Sequence, residues 1–239
     1  MSLVVVIPAY NAGRHIAQVL QRLSAQRDCE LSRVIIVNDG SRDDTLQQAR
    51  QADFGACALD VIERVANGGY GAAMKDGLAA ARAYNPELVA CVHADGQYGP
   101  EQLPALRRAL SRRGLDLLQG SRVASGTALS GGMPLYKYAA NGLLNILENR
   151  TFGLEMTDYH SGYLVYGRAA LALPFHALSN SFDFDLEVIA CARARGLAVG
   201  EEPVPTHYGD EVSHLNPVTY GLRALRVLWN YRRGHYAVS

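Results

Sequence analysis

Five apolar runs mark the first half of the chain: Leu3–Pro8, Arg33–Asn38, Val61–Arg64, Leu88–His93 and Leu115–Ser121. They are short and lack polar alternation, which predicts strands covered on both faces and therefore a mostly parallel sheet. Helical spacing of apolar positions fills the intervals near Arg14–Arg27, Asp43–Gln51, Gly71–Tyr84 and Pro100–Arg113. Strand and helix in alternation predict an α/β fold, a Rossmann-like sheet flanked by helices. After Arg122 the rhythm changes. Val123–Pro134 reads as a loop, Leu135–Phe152 as a helix, Ser161–Tyr166 as a strand, Asp185–Arg195 as a helix, Leu197–Val204 as a strand and Pro217–Arg233 as a last helix. No repeat, low-complexity tract or linker interrupts residues 1–239, so one domain is expected, the second half extending the first half's sheet.

In a parallel sheet the strand C-termini share one edge, and ligands bind there. The segments this pattern sends to that edge are Ala9-Tyr10-Asn11, Asp39-Gly40-Ser41, Asn67-Gly68-Gly69-Tyr70-Gly71 and Ala94-Asp95-Gly96-Gln97. Asp39 ends a strand, where a carboxylate accepts hydrogen bonds from a ribose or base, or simply forms a turn. Asp95, with Gln97 two residues on, offers oxygen ligands suited to a hard divalent cation that also binds phosphate, or again a turn. The glycines at 68, 69 and 71 allow close backbone approach at a helix N-terminus, which favours anions. Lys75, one turn into that helix, faces either the loop or solvent. The spacing is neither a Walker loop nor GxGxxG.

Composition narrows the classes. Apolar residues make up 49% and charged residues 19%, an ordinary globular balance. Lys+Arg and Asp+Glu both number 23, so no overall field draws nucleic acid, and any anion site is local. The four cysteines are scattered, without a CxxC pair; Cys91 and Cys191 sit in apolar patterns and read as buried thiols of a reducing compartment. The N-terminus lacks the basic region and cleavage site of a signal peptide, and no apolar stretch reaches the roughly 18 residues of a bilayer span.

The ordered set Val5-Val6-Ile7-Pro8-Ala9-Tyr10-Asn11, Val37-Asn38-Asp39-Gly40-Ser41, Asn67-Gly68-Gly69-Tyr70-Gly71, Ala94-Asp95-Gly96-Gln97 and Gly120-Ser121-Arg122 resembles family 2 glycosyltransferases with the GT-A fold. Asp158-Tyr159-His160-Ser161-Gly162-Tyr163, Phe184-Asp185-Leu186-Glu187 and Glu202-Pro203-Val204-Pro205 extend the resemblance to the dolichyl-phosphate mannose synthase-like branch, over nearly the whole chain. It implies an inverting, metal-dependent transfer from a nucleotide-sugar donor. Residues 1–122 would bind the donor, and residues 123–239, with the C-terminal helix, the acceptor. Pro8, Tyr10 and Asp39 match base- and ribose-holding positions, with Asn11, Asn67, Gly68, Lys75 and Asp95 also on the donor side. Asp95 and Gln97 match ligands of Mg²⁺ or Mn²⁺ on the diphosphate, and Arg122 a cation near the phosphates or acceptor.

Two departures bear on chemistry. His93 stands where the family often has an acid; a neutral imidazole suits Mn²⁺ better than Mg²⁺, or His93 merely ends its strand. Leu164 stands where an Arg is expected, leaving an acceptor-phosphate contact to Lys137, Arg122 or Arg168. The favoured acceptor is a polyprenyl phosphate, already anionic and needing no general base. The alternative is a glycan or small-molecule hydroxyl, which needs one. Candidates for that base are Asp158, His160, Asp183, Asp185 and Glu187. A sugar nucleotidyltransferase would require a Gly-rich, basic loop after the first strand, where Ala9-Tyr10-Asn11 stands. A non-catalytic nucleotide-sugar-binding protein is the remaining reading. The last helix mixes aliphatics, the single Trp and several arginines, which suits either a membrane interface or a packed helix with a basic face. A cytoplasmic location, peripheral at the inner membrane face, is expected.

Overall fold

The computed structural model describes residues 2–26, 30–129, 132–205 and 217–237. Cys29, the Arg27 end of the first predicted helix, Ser130-Gly131 of the predicted loop and the Lys137 side chain lie outside the described residues.

Seven strands form one sheet: β1 (Leu3–Ala9), β2 (Leu31–Asn38), β3 (Ala58–Glu63), β4 (Leu88–Cys91), β5 (Leu117–Ser121), β6 (Leu164–Gly167) and β7 (Val199–Pro203). Their order is β3-β2-β1-β4-β6-β5-β7. β1 pairs in parallel with β2 and β4, in register Val6↔Ile35 and Val6↔Cys91. β6 alone runs antiparallel, against both β4 and β5.

Successive strand residues point to opposite faces, so an unbroken apolar run feeds two cores at once. Leu3, Val5, Ile7, Val34 and Ile36 pack under α1 (Ile16–Ser24), α2 (Thr45–Gln51) and α4 (Leu103–Arg113). Val4, Val6, Ile35, Val37 and Cys91 pack under α3 (Tyr70–Arg82), α7 (Phe184–Ala194) and α8 (Pro217–Arg232), with the end of α5 (Leu135–Phe152) closing that layer. Cys91 and Cys191 are buried free thiols, as their apolar context predicts.

The elements differ from the expected ones mainly at their ends. β4 stops at Cys91 and Val92 makes the last bond to β1, through Val6 O at 3.0 Å, so His93 belongs to the loop. The predicted strand from Ser161 begins only at Leu164. A short helix, α6 (Arg168–Leu171), and a 3-10 turn at Phe175–Ala177 follow, too brief to leave a period in the sequence.

The direction of β6 matters for the site. An antiparallel strand begins at the edge where its neighbours end. Residues 157–163 therefore arrive at the same edge as Tyr10, Asp39, Asp95 and Arg122. The far end of β6, Gly167, pairs with Leu88 at the start of β4. Arg168, proposed as an alternative phosphate contact, consequently lies at the opposite edge and cannot serve the site.

Candidate active site

The β1–β2–β3 side of the edge forms an open cleft of about 580 Å³, lined among others by Tyr10, Asn38, Arg42, Arg64 and Asn67. Tyr10 is exposed there. Pro8 sits half-buried within β1, opposite Val37. Asn11 ties two loops together: its N–H donates to Ser41 Oγ at 3.0 Å, and its Oδ1 accepts from the Arg42 N–H at 2.9 Å.

Asp39 is buried, and its carboxylate is already engaged. Oδ1 accepts from the Gly68 N–H and Oδ2 from the Gly69 N–H, both at 2.9 Å, and Arg64 Nε lies 2.8 Å from Oδ1. Asp39 thus fixes the Gly-rich loop beside the cleft, a task the turn sequence does not reveal. Arg64 was not singled out by the sequence, because its partners lie elsewhere in the fold, Asp39 just past β2 and Asp76 on α3.

The glycines of that loop also have a different purpose from the one expected. A Cβ on Gly69 would stand 2.4 Å from Asn180 O, and one on Gly71 2.3 Å from Ser179 O. They admit the 179–181 backbone rather than a phosphate. Lys75 follows them: it donates to Asn180 Oδ1 at 2.7 Å and to the Leu178 carbonyl, so its ammonium is committed to this segment.

On the β4 side, Asp95 and Gln97 are half-buried, and Asp95 Oδ1 accepts from the Gln97 N–H at 3.0 Å. Among the described residues no three His, Cys, Asp or Glu side chains converge as a metal cage. An oxygen pair of this kind fits a hard cation that takes its remaining ligands from phosphate and water. His93 is held elsewhere: its ring packs edge-on to Tyr70 and Tyr98, with Tyr70 OH 3.5 Å from Nε2. A Cβ on Gly162 would stand 2.8 Å from Nε2, so the glycine makes room for the ring. Burial holds the imidazole below its ordinary pKa, against the pull of Asp95.

The acceptor-side candidates separate clearly. Asp158 is clamped by Arg122: Nε to Oδ2 at 2.6 Å, Nη2 to Oδ1 at 2.9 Å, and the Arg122 N–H to Oδ2 at 3.3 Å. Burial pushes the Asp158 carboxyl up, but the Arg122 charge and hydrogen bonds outweigh it, and its pKa lies below the ordinary value. Asp183 accepts from Ser179 Oγ at 2.9 Å and Arg223 at 3.1 Å; Glu187 accepts from Tyr236 OH at 2.7 Å. Asp185 accepts from Tyr70 OH at 2.8 Å through Oδ2, while its buried Oδ1 has no hydrogen-bond partner among the described residues. Burial, opposed by the Tyr70 bond, pushes Asp185 up to about 7. Leu164 is fully buried, so an Arg at that position would have to enter the core.

Comparison with known proteins follows the same lines. The family described as "Glycosyl transferase family 2" matches residues 4–173, more than half the chain. The low-salt glycan biosynthesis hexosyltransferase Agl6 of Haloferax volcanii is 30% identical, over 95% of this chain; the chain spans only 53% of that protein. The UDP-N-acetylglucosamine–dolichyl-phosphate N-acetylglucosaminyltransferase of Methanococcus voltae is 25% identical, over 85% of this chain and 84% of that one. Among solved structures, glucosyl-3-phosphoglycerate synthase of Mycobacterium tuberculosis, crystallised with Mn²⁺ and uridine diphosphate, superposes with TM-score 0.71 at 19% identity, covering 96% of this chain and 79% of that one.

Proposed function

Because this chain belongs to glycosyl transferase family 2, we propose that it transfers a sugar from a nucleotide-sugar donor to a polyprenyl phosphate, with inversion at the anomeric carbon. Relatives named for dolichyl, polyprenol and undecaprenyl phosphates support this acceptor. The observation that carries it is the Arg122–Asp158 pair. A carboxylate gripped on both oxygens by a guanidinium is a poor base, and a phosphate acceptor needs none. Arg122, held at that edge by Asp158, would offset the charge of phosphate oxygens.

The donor's nucleoside would occupy the cleft beside Tyr10, Asn67 and the loop fixed by Asp39. Its diphosphate would lie toward Asp95 and Gln97, which would hold Mg²⁺ or Mn²⁺ there. When bound, that ion would neutralise charge on the departing nucleoside diphosphate. Replacing Asp39 with Ala would leave two glycine N–H groups without their acceptor and Arg64 with Asp76 as its remaining ion-pair partner. Nucleoside-diphosphate affinity should fall by about 1–3 kcal/mol; unchanged affinity by calorimetry would remove Asp39 from the donor site.

A hydroxyl acceptor is the second reading, favoured by one observation: Asp185 carries a buried oxygen unpaired among the described residues. In that case it is the group to test as base, ahead of Asp158.

A lipid acceptor calls for a membrane surface. No helix of the described residues is long and apolar enough to cross one. The outer faces of α5 and α8 suit the interface instead. Leu135, Leu143 and Ile146 project from α5, and Val218, Leu222 and Trp229 from α8 at helical spacing. The sole carboxylate on either helix, Glu148, is buried, while Arg150, Arg223, Arg226 and Arg232 stand on them. In a chain of zero net charge, an apolar stripe on helices whose exposed charges are arginines, one of them (Arg223) paired with Asp183, complements an anionic bilayer.

One experiment tests acceptor and surface together. The protein is incubated with Mn²⁺, a panel of uridine and guanosine diphosphate sugars, and polyprenyl phosphate in anionic vesicles or soluble hydroxyl acceptors. Product on the polyprenyl phosphate is expected, with co-sedimentation that salt and Trp229→Glu weaken. Product on hydroxyl acceptors alone would refute the lipid reading; self-association without vesicle binding would reassign the α5–α8 face to a second copy.

A further inference from the structure

His160 entered as a candidate base, yet it presents no free nitrogen to the edge. Its side chain is 6% exposed. Nδ1 lies 2.8 Å from Tyr220 OH on α8, and Nε2 lies 3.3 Å from Glu148 Oε2 on α5. The Tyr220 ring also meets the imidazole edge-on, with centroids 5.3 Å apart. Glu148 is fully buried, and among the described residues neither its carboxylate oxygens nor His160 Nε2 has a hydrogen bond, so the two face each other by charge and proximity alone. A buried carboxylate is costly unless a partner stands by it, and the imidazole is the group in that place.

The same stretch carries Asp158. Residues 157–163 contain no helix or strand, so tethers set where Asp158 sits. Glu201 accepts from the Thr157 N–H at 2.8 Å and the Asp158 N–H at 3.2 Å. The His160 N–H donates to Asp158 Oδ1 at 3.0 Å. Asp158 in turn holds Arg122 in a fork, fixing the plane of a side chain that otherwise has four soft torsions.

We propose that His160 is a positioning residue for the transfer reaction: it pins the 157–161 loop between α5 and α8 and, through Asp158, sets the direction in which Arg122 meets phosphate. This rests on the reading of Arg122 as the phosphate-facing cation. The Glu148–His160–Tyr220 contacts form the outer anchor, and Asp158–Arg122 the inner arm. The hydrogen-bonded links, His160 to Tyr220, the His160 N–H to Asp158 and Asp158 to Arg122, rigidify what they hold, which is what an oriented guanidinium requires.

The test compares His160→Ala, His160→Asn, Tyr220→Phe and His160→Ala/Tyr220→Phe with Arg122→Ala. Measured are kcat, KM for the polyprenyl phosphate, uridine-diphosphate affinity and thermal midpoint. His160→Ala should lower kcat on the order of 10²-fold, the loss expected when a reacting group is displaced by about 1 Å. Uridine-diphosphate affinity should stay unchanged. His160→Asn keeps an amide within reach of Tyr220 and should recover part of kcat. Tyr220→Phe removes one oxygen and should lose less. The double variant should be no slower than His160→Ala, because both changes cut the same link. A His160→Ala protein that melts earlier but keeps kcat would overturn the proposal, as would full kcat in Tyr220→Phe should His160→Ala fail to fold. If Arg122→Ala itself keeps kcat, the reading of Arg122 fails; if Arg122→Ala is inactive while the His160 and Tyr220 variants turn over normally, only the positioning role fails.

Discussion

Asp95→Asn should cost on the order of 10³-fold in kcat while leaving the fold intact. The asparagine oxygen can still accept the Gln97 N–H that Asp95 Oδ1 accepts at 3.0 Å, so the turn keeps its local bond. What disappears is the negative charge on an oxygen pair that would share a divalent cation with the donor diphosphate. Charge stabilisation by such an ion amounts to several kcal/mol in the transition state, and each 1.4 kcal/mol is tenfold in rate, which gives the estimate of about three orders of magnitude. Single-turnover kinetics across a Mn²⁺ titration separates the cases. The variant should need more metal and never reach the wild-type plateau. Wild-type turnover by the variant, or by the native protein in excess chelator, would remove Asp95 from a metal site.

Asp158→Ala should produce the largest loss of stability, about 3–5 kcal/mol, as expected when one partner of a buried ion pair is removed. The pair is well inside the protein: the Arg122 side chain is 9% exposed and that of Asp158 1%. Without Asp158 the guanidinium keeps its charge and loses its fork. For a chain of this size the thermal midpoint should fall on the order of 10 °C. Turnover should fall as well, since Arg122 loses its orientation.

The pH dependence of the native protein has a definite sign. Arg122 holds the folded-state pKa of Asp158 below the ordinary carboxylate value. The folded state therefore binds that proton less readily than the unfolded chain, whose Asp titrates at about 3.9. The contribution of the pair is present in full above that value and is lost as pH falls through the depressed folded pKa. The stability gap between native protein and Asp158→Asn should be widest at neutral pH and narrow below about pH 4. A gap independent of pH would mean that the ion pair contributes through packing alone.

Family membership was legible because it lies in short ordered motifs, and motifs at strand ends survive a one-dimensional reading. The pair proposed for the metal side could be singled out for the same reason, Asp95 and Gln97 being two residues apart. The acceptor side was not. Asp158, His160, Asp185 and Glu187 look alike in the sequence, as polar residues beside a strand or at a helix start. Their partners decide what they can do: Arg122 lies 36 residues from Asp158, Tyr220 60 residues from His160, and Tyr70 115 residues from Asp185. No local spacing encodes such pairs. Lys75 and the glycines at 69 and 71 were read toward a ligand because a Gly-rich helix start favours anions. The 178–181 backbone, more than a hundred residues away, takes up that space instead.

By itself, then, the sequence determined the alternation of strands and helices, the two-sided burial of the sheet and the set of loops that share its ligand edge. Each of these follows from a period or an apolar run, which is local information. Tertiary structure alone decided the direction of β6, and with it much of the chemistry. An antiparallel strand between β4 and β5 brings the Asp158–Gly162 loop to the edge and sends Arg168 to the other end. Strand direction depends on which neighbours supply the hydrogen bonds. The four residues of β6 are apolar enough for either direction, so its orientation appears only once the whole sheet is assembled.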